Sequence, residues 1–193
     1  MSDRQRHWEN VWSTKQPTEV SWFQAEPTRS VELVRAACSN GSVIDIGGGS
    51  SLLATALFEL GYDDITVLDI ALAANINHRA TRIVADITAW TPTRTYDVWH
   101  DRAAFHFLTS AFDAATYGRA MAATLAPGGH AIIGTFALDG PEQCSGLPVV
   151  RYDAATLAGC FAADFDLVSS DDDFHLTPWQ STQHFTFVTL RRR

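Results

Sequence analysis

The stretch Val43-Ile44-Asp45-Ile46-Gly47-Gly48-Gly49-Ser50 sets a short β-branched run against three consecutive glycines. The run reads as a strand, Ser42 to Ile46, and the glycines as a turn where backbone can approach a ligand with no Cβ in the way. Leu52 to Leu60 follows, apolar and rich in helix formers, and stops at Gly61. The glycines therefore lie at the amino end of a helix, whose first N–H groups are unpaired. A second strand, Ile65 to Leu68, ends before Asp69. That carboxylate stands roughly 20 residues beyond the glycines, where it can accept from both hydroxyls of a ribose. Glycine turn and acid together predict a nucleoside site. A dinucleotide fingerprint would place a third glycine where this chain has Leu52, which argues against a nicotinamide enzyme.

Outward from this unit the same alternation continues. Upstream, Pro27 to Cys38 carries Val31, Val34, Ala37 and Cys38 at helical spacing, with Ser39-Asn40-Gly41 as a C-cap. Downstream, Arg82 to Ala85 and Asp97 to His100 read as short strands. Thr116 to Leu125 reads as a helix, Pro127-Gly128-Gly129 as a turn and His130 to Phe136 as a fifth strand. A helix from Ala154 to Ala163 then precedes a terminal hairpin of Phe165–Ser169 and His184–Leu190, and Asp171-Asp172-Asp173 reads as a solvated turn. Strands alternating with helices predict an α/β domain with a mainly parallel, doubly wound sheet, whose ligands bind beyond the carboxyl ends of the strands.

The 193 residues suffice for one domain with a sizeable core, residues 1–193, with residues 1–26 as a segment covering the cofactor. With 19% charged and 46% hydrophobic residues the composition is that of a globular protein. The net charge of −8 and the absence of a basic stripe speak against nucleic acid as a partner. Cys38, Cys144 and Cys160 are odd in number and lack metal-ligand spacing, so neither a disulfide framework nor a metal site is expected. No signal peptide or membrane-length apolar run is evident, and the expected location is cytoplasmic, as a monomer or weak homodimer.

Four segments together resemble the class I S-adenosylmethionine-dependent methyltransferases: Val43 to Ser50, Val67-Leu68-Asp69, Ala85-Asp86-Ile87, and Leu125-Ala126-Pro127-Gly128-Gly129. The resemblance spans nearly the whole chain and implies a seven-stranded, Rossmann-like sheet whose final hairpin adds an antiparallel strand. It implies S-adenosylmethionine as cofactor and S-adenosylhomocysteine as product. Asp45, Gly47, Gly48 and Gly49 would contact the methionine end, Asp69 with Ile70 the ribose, and Asp86 with Ile87 the adenine. Trp12, Trp22 and His100 would complete the cofactor site, the tryptophans as an aromatic lid over a cation.

The acceptor should meet the methyl group at the end of the fourth strand, Trp99-His100-Asp101-Arg102-Ala103-Ala104-Phe105-His106-Phe107. With Trp8 to Lys15 and Gly140-Pro141, this stretch is most similar to the thiopurine methyltransferase branch, though Ala103 replaces a frequent glycine. His100, Asp101 and His106 are the candidate acid–base groups, since histidine titrates near neutrality. Phe23, Arg102, Phe105, Cys144, Arg151 and Tyr152 are candidate acceptor contacts. The expected activity is methyl transfer to a small-molecule acceptor, a thiol or other soft nucleophile. Protein lysine N-methylation is the alternative, and a catalytically silent nucleoside-binding module the third possibility.

Overall fold

The computed structural model describes all residues, 1–193. Its sheet has seven strands in the order β3-β2-β1-β4-β5-β9-β8. The parallel part comprises β1 (Val43–Ile46), β2 (Ile65–Asp69), β3 (Thr81–Val84), β4 (Tyr96–Arg102) and β5 (Leu125–Phe136). Antiparallel β9 (Thr182–Arg192) lies between β5 and the edge strand β8 (Phe165–Leu176). A minor hairpin of β6 (Gln143–Cys144) and β7 (Leu147–Pro148) stands apart. Helices α2 (Thr28–Ala37) and α3 (Leu53–Glu59) belong to one side of the sheet, α4 (Ala111–Thr124) and α5 (Ala154–Gly159) to the other, and α1 (Asp3–Thr14) precedes them all. None of them is long and apolar enough to cross a membrane.

Strand alternation explains the two cores. In β1, Ile44 and Ile46 pack with Trp99, Ile133, Tyr117 and Phe161 beneath α4 and α5. Val43 turns to the other face and joins Val98, Ile132, Phe187, Val34 and Leu57. A central parallel strand buried on both faces must be apolar at nearly every position, and β2 is buried throughout. Each fully buried Leu, Ile, Val or Phe side chain contributes about 1.5–3 kcal/mol.

Several boundaries differ from the expectation, each for a local reason. Helix α4 begins at Ala111, earlier than Thr116, because the Ser110 hydroxyl accepts the Asp113 N–H at 3.0 Å. Helix α5 stops at Gly159 instead of Ala163, and α2 ends on an extended Cys38 with no left-handed cap at Gly41. Asp171-Asp172-Asp173 is not a turn but part of β8, opposite Phe187, Thr186 and Phe185. Carboxylates are tolerated there because β8 is the sheet edge, where charge also discourages pairing with another chain.

On β5, Gly134 faces the Phe187 ring so closely that a Cβ would fall 2.5 Å from Phe187 Cε1. Gly134→Val should destabilise the protein by about 1–3 kcal/mol through overpacking, read as a lower midpoint of urea unfolding.

Candidate functional site

The site lies at the carboxyl ends of β1, β2, β3 and β4. Gly47 and Gly49 adopt φ of +64° and +49°, values that a side chain resists. A Cβ on Gly47 would lie 2.7 Å from Ala104 Cβ, one on Gly49 would lie 2.6 Å from Trp12 Cζ2, and one on Gly48 would collide with the Asp45 carboxylate. Beneath the turn, Asp45 Oδ1 and His100 Nδ1 are 2.7 Å apart, and His100 Nε2 meets the Ser30 hydroxyl of α2 at 2.9 Å. Both groups are buried. They occupy paired positions on β1 and β4, so the network follows from strand register.

Asp69 closes β2 and is buried, its Oδ1 accepting the Ala71 N–H at 2.8 Å. Burial raises its pKa to about 6, with the Asp45 charge adding to the rise and the Ala71 N–H opposing it. Asp86, beyond β3, accepts from the Thr88 N–H at 2.9 Å and hydroxyl at 2.7 Å. Arg4 of α1 reaches it at 3.3 Å and Asp113 at 2.9 Å.

The same helix roofs the site. Glu9 accepts the Leu72 and Ala73 N–H groups at 2.6 and 3.0 Å. Trp8 meets Trp22 and Phe107 edge-on at 5.9 and 5.1 Å, and Trp12 meets Trp22 at 6.0 Å. Under this roof is a largely apolar cavity that runs from the glycine turn past Asp69 and Asp86 to Arg102 and Phe107. A second, more polar chamber adjoins it, sharing Trp12, Trp22, Gly47 and Arg102 as walls.

Of the residues singled out from the sequence, Trp12, Trp22, Gly47, Asp69, Ile70, Asp86, Ile87, Arg102 and Cys144 line the main cavity. Phe23, Asp45, Gly48 and His100 line the second chamber. Gly49 sits beside Trp12 and Asp69, which a Cβ there would meet at 2.6 and 3.2 Å. The acid–base candidates are differently placed from expectation. His100 has both ring nitrogens engaged. Asp101, fully buried on the opposite face of β4, accepts the Ala104 N–H at 2.8 Å, the Phe105 N–H at 3.0 Å and the Tyr117 hydroxyl at 2.7 Å. Burial lifts its pKa to about 6, and those three donors hold it down from a larger rise. His106 is fully buried behind the cavity wall against Phe107 and Phe136, where burial and then the Arg102 charge lower its pKa to about 3. Its ring is therefore uncharged at neutral pH.

Three acceptor candidates also fall outside. Phe105 is a core residue among Tyr117, Tyr152 and Phe161, and Tyr152 packs on it. Arg151 donates to the Gly140 carbonyl and pairs with Glu142, each at 3.1 Å. Cys144 is buried, its thiol pushed up to about 12 by burial, and is a wall and not a nucleophile. Arg4, Trp8, Ala103, Ala104, Phe107 and Leu108 also line the cavity without having been singled out as site residues. Ala103 at φ 70° is a non-glycine in the left-handed region, which explains the frequent glycine there in the branch that the sequence resembles.

No protein-family model and no curated protein matches the chain. Solved structures do. One, from work on the conversion of a disulfide bond into a thioacetal group during echinomycin biosynthesis, is 20% identical with a TM-score of 0.77, covering 98% of this chain and 93% of its own. The N-methyltransferase NodS of Bradyrhizobium japonicum WM9, in complex with S-adenosylhomocysteine, is 16% identical at TM-score 0.71, covering 95% and 97%. The 1,6-didemethyltoxoflavin-N1-methyltransferase of Burkholderia thailandensis, with its substrate and S-adenosylhomocysteine, is 19% identical at 0.69, covering 97% and 83%. The chain has the methyltransferase fold. In that frame the glycine turn, Asp69 and Asp86 stand at the ends of three neighbouring parallel strands.

A carboxylate whose pKa is raised in the folded state stabilises the fold less when ionised, so this penalty is present above about pH 6 and relieved as pH falls through that value. Asp69→Asn removes the charge but keeps an acceptor for the Ala71 N–H. It should stabilise the protein by about 2 kcal/mol at neutral pH, by less as the pH falls below about 6 and by little below about pH 4, measured by urea unfolding across that range.

Proposed function

We propose that the chain is an S-adenosylmethionine-dependent methyltransferase acting on a small molecule, with a thiol or other soft nucleophile as acceptor. The observation that carries this is the spacing of Asp69 and Asp86 along one apolar cavity that begins at the glycine turn. The residues fit the cofactor. The positive-φ glycines leave a cradle that a Cβ would fill, Asp69 Oδ2 is free of other side chains for a ribose, and Ile70 and Ile87 offer apolar walls to a base. Asp86 Oδ2 faces only Arg4, a partly exposed pair that an adenine amino group can replace or join. When bound, S-adenosylmethionine supplies a methyl group on a cationic sulfonium.

The chain's own residues then align and enclose. Trp8, Trp12 and Trp22 present ring faces and edges at the junction of the two chambers and keep water out. With Asp101 and His106 behind the wall and both His100 nitrogens occupied, the side chains around Arg102 and Phe107 include no free base, and the cavity's carboxylates, Asp69 and Asp86, are those assigned to the nucleoside. This favours an acceptor that is nucleophilic without enzymic deprotonation, as a thiol is through its thiolate. The acceptor end carries a cation, Arg102, and no carboxylate to receive a lysine ammonium, which weighs against protein lysine methylation. Two of the structural neighbours methylate nitrogen by name and one comes from sulfur chemistry, so small-molecule methylation unites them while the acceptor atom varies.

Calorimetry should show one S-adenosylhomocysteine bound per chain and none of a nicotinamide dinucleotide. Asp69→Asn should weaken this binding by about 10- to 100-fold, the worth of hydrogen bonds to a charged acceptor. Unchanged affinity would remove the ribose role. Transfer of a radiolabelled methyl group should then reach small thiols in a panel, and label appearing only in a protein band would overturn the small-molecule assignment.

A further inference from the structure

Along α1, Arg4, Trp8 and Trp12 recur at the four-residue spacing that puts side chains on one helix face, and all three line the main cavity. The tryptophans are its apolar roof. Arg4 is the charged member of this ridge, and its contacts with Asp86 and Thr88 place it at the end of the cavity that Ile70, Ala85 and Ile87 also line. Its two terminal nitrogens are held unequally. Nη2 donates to Asp113 Oδ2 of α4 at 2.9 Å, the length of a charge-assisted hydrogen bond. Nη1 lies 3.4 and 3.3 Å from the two Asp86 oxygens and 3.4 Å from Thr88 Oγ1, all longer contacts. Asp86 does not depend on them, since its Oδ1 already accepts the Thr88 N–H and hydroxyl at 2.9 and 2.7 Å. The guanidinium is thus anchored on Asp113 and leans on Asp86 without closing on it.

A carboxylate and an N–H donor side by side on a cavity wall are what the edge of adenine requires. Its exocyclic amino group donates, and the ring nitrogen on either side of that group, N1 or N7, accepts. A single carboxamide meets both needs when asparagine or glutamine reads adenine in DNA. Resting on the methyltransferase reading, we propose that Arg4 is a specificity-determining residue for the base of the cofactor: while Asp86 accepts from the amino group, Arg4 Nη1 donates to the adjoining ring nitrogen. Nη1 carries two N–H groups, so one can turn to the base while Nη2 keeps Asp113. The charge balance agrees. Arg4 sits between two carboxylates, so a neutral base meets a compensated cation. Hypoxanthine presents the opposite pattern, a carbonyl toward Asp86 and an N–H at N1 toward Arg4, and is refused at both points.

Calorimetry on the full chain with S-adenosylhomocysteine and its 1-deaza and 7-deaza analogues tests this, because each analogue keeps the amino group and replaces one ring nitrogen with C–H. The wild type should bind one of the two analogues at least about tenfold more weakly than S-adenosylhomocysteine, the worth of a hydrogen bond from a charged donor. Arg4→Met, which keeps an apolar stem but no donor, should bind S-adenosylhomocysteine more weakly and lose that discrimination. An Arg4 that only docks α1 would, when replaced, weaken all three ligands alike and leave the ratio as in the wild type, which would overturn the proposal. So would a variant that binds S-adenosylhomocysteine more tightly, since the guanidinium would then compete with the base for Asp86. The wild-type comparison needs no variant: S-adenosylhomocysteine bound without dependence on either ring nitrogen removes the proposal alone, and a chain that binds none of the three ligands removes the methyltransferase reading with it.

Discussion

The Asp45–His100 contact, 2.7 Å long and buried under the glycine turn, fixes the geometry on which the site depends. It ties the ends of β1 and β4 together, and the Ser30 hydroxyl on the far ring nitrogen fastens both to α2. A buried carboxylate or imidazole without partners would cost several kcal/mol, so the three groups hold one arrangement. That arrangement denies Gly48 a side chain and sets the level of the turn. It also fixes the exit of β4, from which Arg102 and Ala103 reach the cavity.

On the opposite face of β4 a second buried network does complementary work. Trp99 Nε1 donates to the Tyr117 hydroxyl at 2.8 Å, which donates in turn to Asp101. Asp101 also caps the backbone at Ala104 and Phe105, so the chain turns sharply after the strand and Ala103 is held at a positive φ. One network positions the glycine turn and the other the cavity wall after β4. Between them the roof helix α1 is fastened by buried Val11, by Trp8 and Trp12 packed on Trp22 and Phe107, and by polar contacts from Arg4 to Asp86 and Asp113 and from Glu9 to two backbone N–H groups.

The fold, and the glycine turn and strand-end acids that line one cavity, were legible in the sequence because they rest on local signals. Glycines after a β-branched run, an acid at the next strand end and the 2.0 and 3.6 periodicities are all readable within a few residues. The acid–base assignments were not, because they depend on which face a side chain takes and what it meets. Alternation along β4 already separates His100 from Asp101, one toward Asp45 and the other toward Tyr117. The partners of His100 are 55 and 70 positions away in the chain and carry no local signature. Asp171 to Asp173 misled for a related reason. Three acids resemble a turn, and only their place at the sheet edge makes them a strand.

The most direct test of the whole account is a crystal structure with S-adenosylhomocysteine bound. The account predicts the ribose on Asp69, the adenine between Ile70 and Ile87 with Asp86 at its amino group, and the vacated methyl position facing Trp8, Phe107 and Arg102. A ligand that lies elsewhere, or one that leaves Asp69 without a ribose contact, would contradict it.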